Sequence, residues 1–161
     1  MKKTIVISDV DGCLTDGRFV YTVNGKVAKV FGPHDNDGVK LLKKNNIDVV
    51  FISADKRGFP ITSTRIQDMK CKVYNVSEAD RVRWIENYIS ENGYERSLFF
   101  GDGIGDIPAK FVVDYFVAPL NGRIEAREAA AYVTPSIGGQ GAFLDVALWF
   151  IEVIRKEGDL E

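Results

Sequence analysis

The chain is poor in the residues from which many active sites and all membrane spans are built. Among its 161 residues there is one histidine, His34, and there are two cysteines, Cys13 and Cys71. A single histidine excludes histidine-rich metal centres and argues against a serine–histidine triad. The cysteines stand far apart, with neither zinc-ligand nor redox-pair spacing, so both read as reduced thiols of a cytoplasmic protein. No apolar run is long enough to cross a bilayer. The lysines near the amino end, Lys2 and Lys3, lead into no signal-peptide apolar region or cleavage site. The net charge of −2 lacks the positive excess that would mark a nucleic-acid or anionic-membrane partner. There is no internal repeat, no low-complexity segment and no linker that would divide the chain.

What is present is ordinary in bulk. An apolar fraction of 45% with 27% charged residues fits one globular domain over residues 1–161 with a sizeable core. Strand-like and helix-like segments alternate, which predicts an α/β protein with a parallel sheet covered by helices. Strands are expected over 4–9, 48–53, 72–76, 97–102 and 115–118, with a short one near 131–134. Helices are expected over 38–45, 61–69, 79–91, 107–111, 123–130 and 142–156. The last of these is apolar on more than one face, since Leu144, Leu148, Trp149 and Val153 widen the stripe of Phe143, Val146, Ala147, Phe150, Ile151 and Ile154. One segment breaks the alternation. Residues 18–31 read as two strands joined at Asn24-Gly25, a dipeptide suited to a hairpin turn with positive φ at both positions. Such a hairpin cannot stabilise itself in water and needs a surface or a partner to lie on.

The chemistry concentrates at two strand ends. Thr4-Ile5-Val6-Ile7-Ser8-Asp9-Val10-Asp11-Gly12 is an apolar strand that runs into two aspartates and a glycine, followed by Leu14-Thr15-Asp16-Gly17. Phe99-Phe100-Gly101-Asp102-Gly103-Ile104-Gly105-Asp106 repeats the arrangement. In open α/β sheets, ligands bind at the carboxyl edge of the strands. Carboxylates held close repel one another unless a cation lies between them, and Mg²⁺ suits oxygen ligands. The pattern points to metal-assisted phosphoryl transfer with a carboxylate nucleophile. The bland reading of either motif alone is a solvated Asp-Gly turn.

Asp9-Val10-Asp11-Gly12 with Leu14-Thr15-Asp16-Gly17, and the later Gly101-Asp102 with Asp106, resemble the first and last motifs of the haloacid dehalogenase superfamily of phosphatases. The resemblance implies a doubly wound, Rossmann-like sheet in which Asp9 attacks phosphorus and Asp11 is general acid, then base. It implies Mg²⁺ held by Asp9, the Asp11 backbone carbonyl and Asp102, with Asp106 in support. Ser53, closing its strand, matches the position that holds a phosphoryl oxygen. The family's lysine falls on Arg81, with Lys72 and Lys56 as other sources of the cation.

The hairpin, the absence of a cap domain and Ile137-Gly138-Gly139-Gln140-Gly141 before the last helix resemble the 3-deoxy-D-manno-octulosonate 8-phosphate phosphatase subfamily. That implies a phosphorylated 2-keto-3-deoxy sugar acid as the small-molecule substrate, eight- or nine-carbon, and a homotetramer in which hairpins meet. Within Phe31-Gly32-Pro33-His34-Asp35-Asn36-Asp37-Gly38, His34 and Asp35 are candidate substrate contacts. Asp35 or Asn36 is alternatively a helix N-cap. The lysine-to-arginine change also admits a different class, a weakly active or inactive oligomerisation or regulatory module.

Overall fold

The computed structural model describes residues 1–160. β1 (Thr4–Asp9) is buried along its whole length. It is followed by a hairpin of β2 (Val20–Thr22) and β3 (Gly25–Ala28). Then come α1 (His34–Lys44), β4 (Ile47–Ser53), α2 (Phe59–Asp68) and β5 (Lys72–Asn75). The second half holds α3 (Arg81–Glu91), β6 (Arg96–Phe100), a 3₁₀ segment (Ile104–Phe111) and β7 (Tyr115–Ala118). It closes with α4 (Ile124–Ala129), β8 (Tyr132–Val133) and α5 (Ala142–Lys156).

Six strands form one sheet in the order β5-β4-β1-β6-β7-β8, and every pair in it is parallel. The chain winds outward from β1 through β4 and β5, then returns to the other side of β1 with β6. That reversal places the topological switch point at β1, where the doubly wound fold opens a crevice beyond the strand ends. Alternation along β1 explains the layers. Val6 faces a core shared with α1, α2 and α5, including Leu42, Ile66, Phe143 and Phe150. Ile5 and Ile7 face the opposite core with Ile85, Ala109 and Ala126 of α3, the 3₁₀ segment and α4. Both faces are covered, so β1 reads as an unbroken apolar run.

Several expectations are corrected in detail. α1 begins at His34, four residues before the expected start, and its N-cap is Pro33 with no side-chain cap bond; neither Asp35 nor Asn36 caps it. In the hairpin, Thr22 pairs with Gly25, so Val23 and Asn24 form the turn. Of these turn residues only Gly25 has positive φ (97°), the pattern of a turn that ends in a glycine bulge rather than two left-handed positions. Most of the extra apolar surface of α5 is used internally, because Trp149 stacks on Tyr132 (4.8 Å between ring centroids) and meets Tyr115 edge-on. Leu148, 54% exposed, is the large apolar side chain of α5 that stands out into solvent.

Candidate active site

The carboxyl edge of β1 and β6 opens into a cleft of ≈ 260 Å³ lined by Asp9, Asp11, Ala54, Asp55, Glu78, Arg81, Asp102, Gly103 and Asp106. Asp9 is the last residue of β1 and is buried. Its Oδ1 accepts the Val10 N–H at 2.9 Å. The chain turns away at Gly12, whose φ of +86° disfavours any other residue. A Cβ there would also collide with the Asp102 carboxylate, so Gly12 is what lets the two acid loops approach. Thr15 Oγ1 fixes the turn by accepting the N–H groups of Gly12 and Gly17, each at 3.1 Å. Behind it, Asn121 donates to the Gly12 carbonyl (3.0 Å) and accepts the Gly138 N–H (2.7 Å). The glycine turn before α5 is therefore packed against the acid loop as its support.

The Asp9 and Asp102 carboxylates and the Cys13 thiol place ligand atoms within 4.8 Å of one another. Burial, then the charges of Asp106 and Asp102, push the Asp9 pKa well above the usual carboxylate range, against the pull of Arg81. Burial and the Asp106 charge push Asp102 up to about 7. Such shifts record negative charge without compensation. Two hard oxygen donors that strain to stay ionised together fit a divalent cation such as Mg²⁺, and the thiol adds one softer neighbour.

Asp106 plays another part. Its Oδ2 accepts the N–H groups of Asp102 (3.0 Å) and Gly103 (2.9 Å), and its Oδ1 pairs with Arg81 Nη1. Its carboxylate is thus committed to protein donors, and it holds the Asp102 loop and Arg81 in place. Arg81 opens α3 and is buried. Burial opposes its charge, but Asp9, Asp106 and Glu78 outweigh that and hold its pKa above the usual value. Lys72, the alternative source of the cation, starts the outermost strand β5, level with Val50 in mid-sheet, and does not line the cleft. Lys56 stands exposed on the loop after β4.

Ser53 ends β4 beside Asp9, whose register partner is Ile52. It is fully buried and its hydroxyl oxygen accepts the Asp55 N–H at 3.2 Å, which turns the loop after the strand. It sits below the cleft wall rather than among the lining residues. His34 and Asp35 are not brought to the cleft. His34 is exposed, with Nδ1 3.5 Å from Asp37. Asp35 is buried near Arg65, with no hydrogen-bond partner for either carboxylate oxygen, and burial raises its pKa to about 7.

Two lysines that the sequence motifs do not single out also reach this edge. Lys29 Nζ lies 2.8 Å from both Asp11 Oδ1 and Asp55 Oδ2, and Lys26 Nζ lies 2.6 Å from Asp55 Oδ2. Burial works against the Asp55 charge, but hydrogen bonds from Lys26, Lys29 and the Gly58 N–H hold its pKa below the usual range. Residues three apart on a regular strand point to opposite faces. A shift of register next to the Tyr21–Lys26 pair leaves Val27 unopposed, and this bulge turns Lys26 and Lys29 toward the same acid. The only sequence signal is a Lys-x-x-Lys spacing on the returning arm of the hairpin.

No protein-family model matches the chain. The 3-deoxy-D-manno-octulosonate 8-phosphate phosphatase KdsC of Haemophilus influenzae is 31% identical over 153 residues, 94% of this chain and 84% of that protein. A solved structure of the cobalt-bound deoxy-D-mannose-octulosonate 8-phosphate phosphatase (YrbI) from the same organism superposes with a TM-score of 0.84 at 28% identity, covering 94% of this chain and 88% of the other. The Moraxella catarrhalis phosphatase, solved with magnesium, phosphate and KDO, superposes at 0.82 over 93% of this chain and 86% of its own; at 23% identity that likeness speaks for the fold alone. With the acid motifs at the switch point and no cap domain beside the sheet, the chain belongs to the KdsC-like family of haloacid dehalogenase-superfamily phosphatases.

Proposed function

We propose that this phosphatase is a Mg²⁺-dependent phosphomonoesterase that works through an aspartyl-phosphate on Asp9. The observation that carries the reading is the pair Asp9, buried at the end of β1, and Asp102, half-buried just past β6, with their pKa values raised by burial, by Asp106 and, for Asp9, by Asp102. Asp9 and Asp102 would hold the ion by their carboxylates and Asp11 by its backbone carbonyl. When bound, Mg²⁺ would supply positive charge against the phosphoryl oxygens.

Asp9, pinned by the Val10 N–H through one oxygen, presents the other to phosphorus. Asp11 gives a proton to the leaving oxygen and then takes one from the attacking water. Arg81, held by Asp106, and the Ser53 hydroxyl, which donates to no protein acceptor among the described residues, would bind phosphoryl oxygens. Uncatalysed phosphomonoester hydrolysis is so slow that enzymes lower its barrier by roughly 20 kcal/mol or more. A pre-positioned nucleophile, fixed donors and two shorter steps in place of one are the sources this cleft offers.

The substrate class we propose is a phosphorylated 2-keto-3-deoxy sugar acid, eight- or nine-carbon, supported by the 31% identity to the Haemophilus influenzae phosphatase. A homotetramer assembled through the hairpin is part of the proposal. It is supported by Val20, Tyr21, Val23, Val27 and Val30, all exposed on a unit too thin to bury them. A cytoplasmic setting is proposed from the two free cysteines; no helix among the described residues is long and apolar enough to cross a membrane.

The test is phosphate release from a panel of phosphorylated sugar acids, with Mg²⁺ and with EDTA. Release is expected with Mg²⁺ alone, and Asp9→Asn is expected to lower kcat by about 10⁴-fold or more while remaining folded. Release that survives EDTA, or a folded Asp9→Asn protein with near-normal turnover, contradicts the mechanism.

A further inference from the structure

The hairpin reaches the cleft through two lysines with buried side chains, Lys26 and Lys29, and of these Lys29 is the one that touches Asp11. Lys29 follows β3 directly, and its side chain has no solvent exposure. A buried ammonium is tolerated only when its charge is matched. Here Nζ donates a hydrogen bond to Thr62 Oγ1 and forms ion pairs with Asp11 Oδ1 and Asp55 Oδ2, each at 2.8 Å. Three separate elements converge on it: the loop after β1, the loop after β4, and α2. The outer strand of the hairpin is far less anchored, with the three residues of β2 all exposed. Asp11 commits Oδ1 to Lys29 and still lines the cleft, with its side chain 20% exposed.

We propose that Lys29 is a positioning residue for the leaving-group step. It fixes the Asp11 carboxyl against the cleft, anchoring one oxygen so that the other faces the leaving group. This rests on the reading of Asp11 as general acid. In the first step the Asp9–phosphorus bond forms and the bond from phosphorus to the leaving oxygen breaks, while the Asp11 proton passes to that oxygen. An alcohol and an Asp11 carboxylate result, the latter next to Lys29. In the second step water attacks phosphorus, its proton returns to Asp11, and the Asp9–phosphorus bond breaks to release phosphate. Lys29 exchanges no proton in either step. The acid is thereby set by how the hairpin is seated.

The experiment measures the single-turnover rate of phosphoenzyme formation with two substrates, an alkyl phosphate and 4-nitrophenyl phosphate. The alkoxide needs a proton to leave and the nitrophenolate does not. Lys29→Met is expected to slow the alkyl phosphate by about 10²-fold, within the range that general acid catalysis provides, and the aryl phosphate by less than about threefold. In an Asp11→Asn background Lys29→Met should add no further loss. Equal losses on both substrates, or losses that multiply with Asp11→Asn, overturn the proposal. An Asp11→Asn protein that itself treats the two leaving groups alike overturns the acid assignment and this proposal with it. An Asp11→Asn protein that discriminates, beside a Lys29→Met protein that does not, overturns this proposal alone. Should Lys29→Met fail to fold by circular dichroism, Thr62→Val keeps every charge and removes one of the ammonium's three partners. A several-fold loss confined to the alkyl phosphate supports the role; a loss shared by both substrates, or none, ends it.

Discussion

Two groups of carboxylates share the same edge of the sheet and behave oppositely. Asp11 and Asp55 are matched by Lys26 and Lys29, and Asp55 is held more acidic than usual. Asp9, Asp102 and Asp106 have Arg81 alone, and all three pKa values are raised, first by burial. The difference shows that a cluster of acids does not by itself call for a metal. Charge balance decides: the first group already has its cations, whereas the second has three carboxylates and one guanidinium. The hairpin supplies the lysines of the first group, so the chain balances one group from its own sequence and leaves the other with excess negative charge.

Removing the one cation of the unbalanced group should give the largest effect. Arg81→Ala leaves Asp106 without its partner in a buried position, and breaking a buried pair from one side costs roughly 3–5 kcal/mol of stability. The lost phosphate donor should also lower kcat/KM by about 10²-fold, the scale of a charge-assisted contact. Arg81→Lys should recover a good part of the activity and less of the stability, since an ammonium cannot reproduce the planar fork. Chemical denaturation and phosphate release measure the two losses. Normal rates in Arg81→Ala would move the phosphate-binding role to another residue.

Adding a cation to the same group should give a somewhat smaller effect. Without metal, Asp102 carries a folded-state pKa near 7, above the unfolded value of about 4. Between those values the folded state binds more protons, so the metal-free protein should lose stability as pH rises from about 4 to 7. Mg²⁺ at 100 times its Kd should return about 2.7 kcal/mol at pH 7.5. Asp102→Ala should abolish this stabilisation and raise the stability of the metal-free protein at that pH. The check is thermal unfolding with and without Mg²⁺. An unchanged Mg²⁺ response in Asp102→Ala would remove Asp102 from the ion's ligands. The paired group should show no such response, because its charges are already matched.

The contrast also explains what can be read from the sequence. Asp9, Asp11, Asp102 and Asp106 are legible because each ends or follows an apolar strand, and strand order then brings the strand ends together. The boundaries of β1, β7 and α5 match the sequence expectation because burial sets a clear period there. Lys26 and Lys29 are not legible. Their convergence depends on a bulge at Val27, which a two-residue alternation cannot reveal. That Asp106 bonds Arg81 and two backbone N–H groups is likewise a choice made by loop geometry. The start of α1 escapes the sequence because its first turn, His34-Asp35-Asn36-Asp37, is polar and gives no apolar period.

Asp35 offers a third balance, between those of the two groups, and the smallest expected effect. It is buried with both carboxylate oxygens unpartnered, and the nearby Arg65 lowers its pKa by less than burial raises it, to about 7. The unfolded value is about 4, so the folded state holds this proton more tightly. The associated stability is therefore complete below about pH 4 and is lost as pH rises to 7 and beyond. Asp35→Asn removes the ionisation. It recovers part of a penalty of up to about 4 kcal/mol, the free energy that separates a carboxyl titrating near 7 from one titrating near 4. Its amide, however, leaves buried donors of its own unpaired, at about 1–3 kcal/mol. A net gain of roughly 1–3 kcal/mol at pH 8 follows, turning into a net loss of about 1–3 kcal/mol at pH 4, where only the amide cost remains. Urea unfolding at both pH values, in saturating Mg²⁺ so that Asp9 and Asp102 drop out, isolates this residue. Equal stability of wild type and Asp35→Asn at pH 8 would show that Arg65 already balances the carboxylate, and Asp35 would then belong with the paired group.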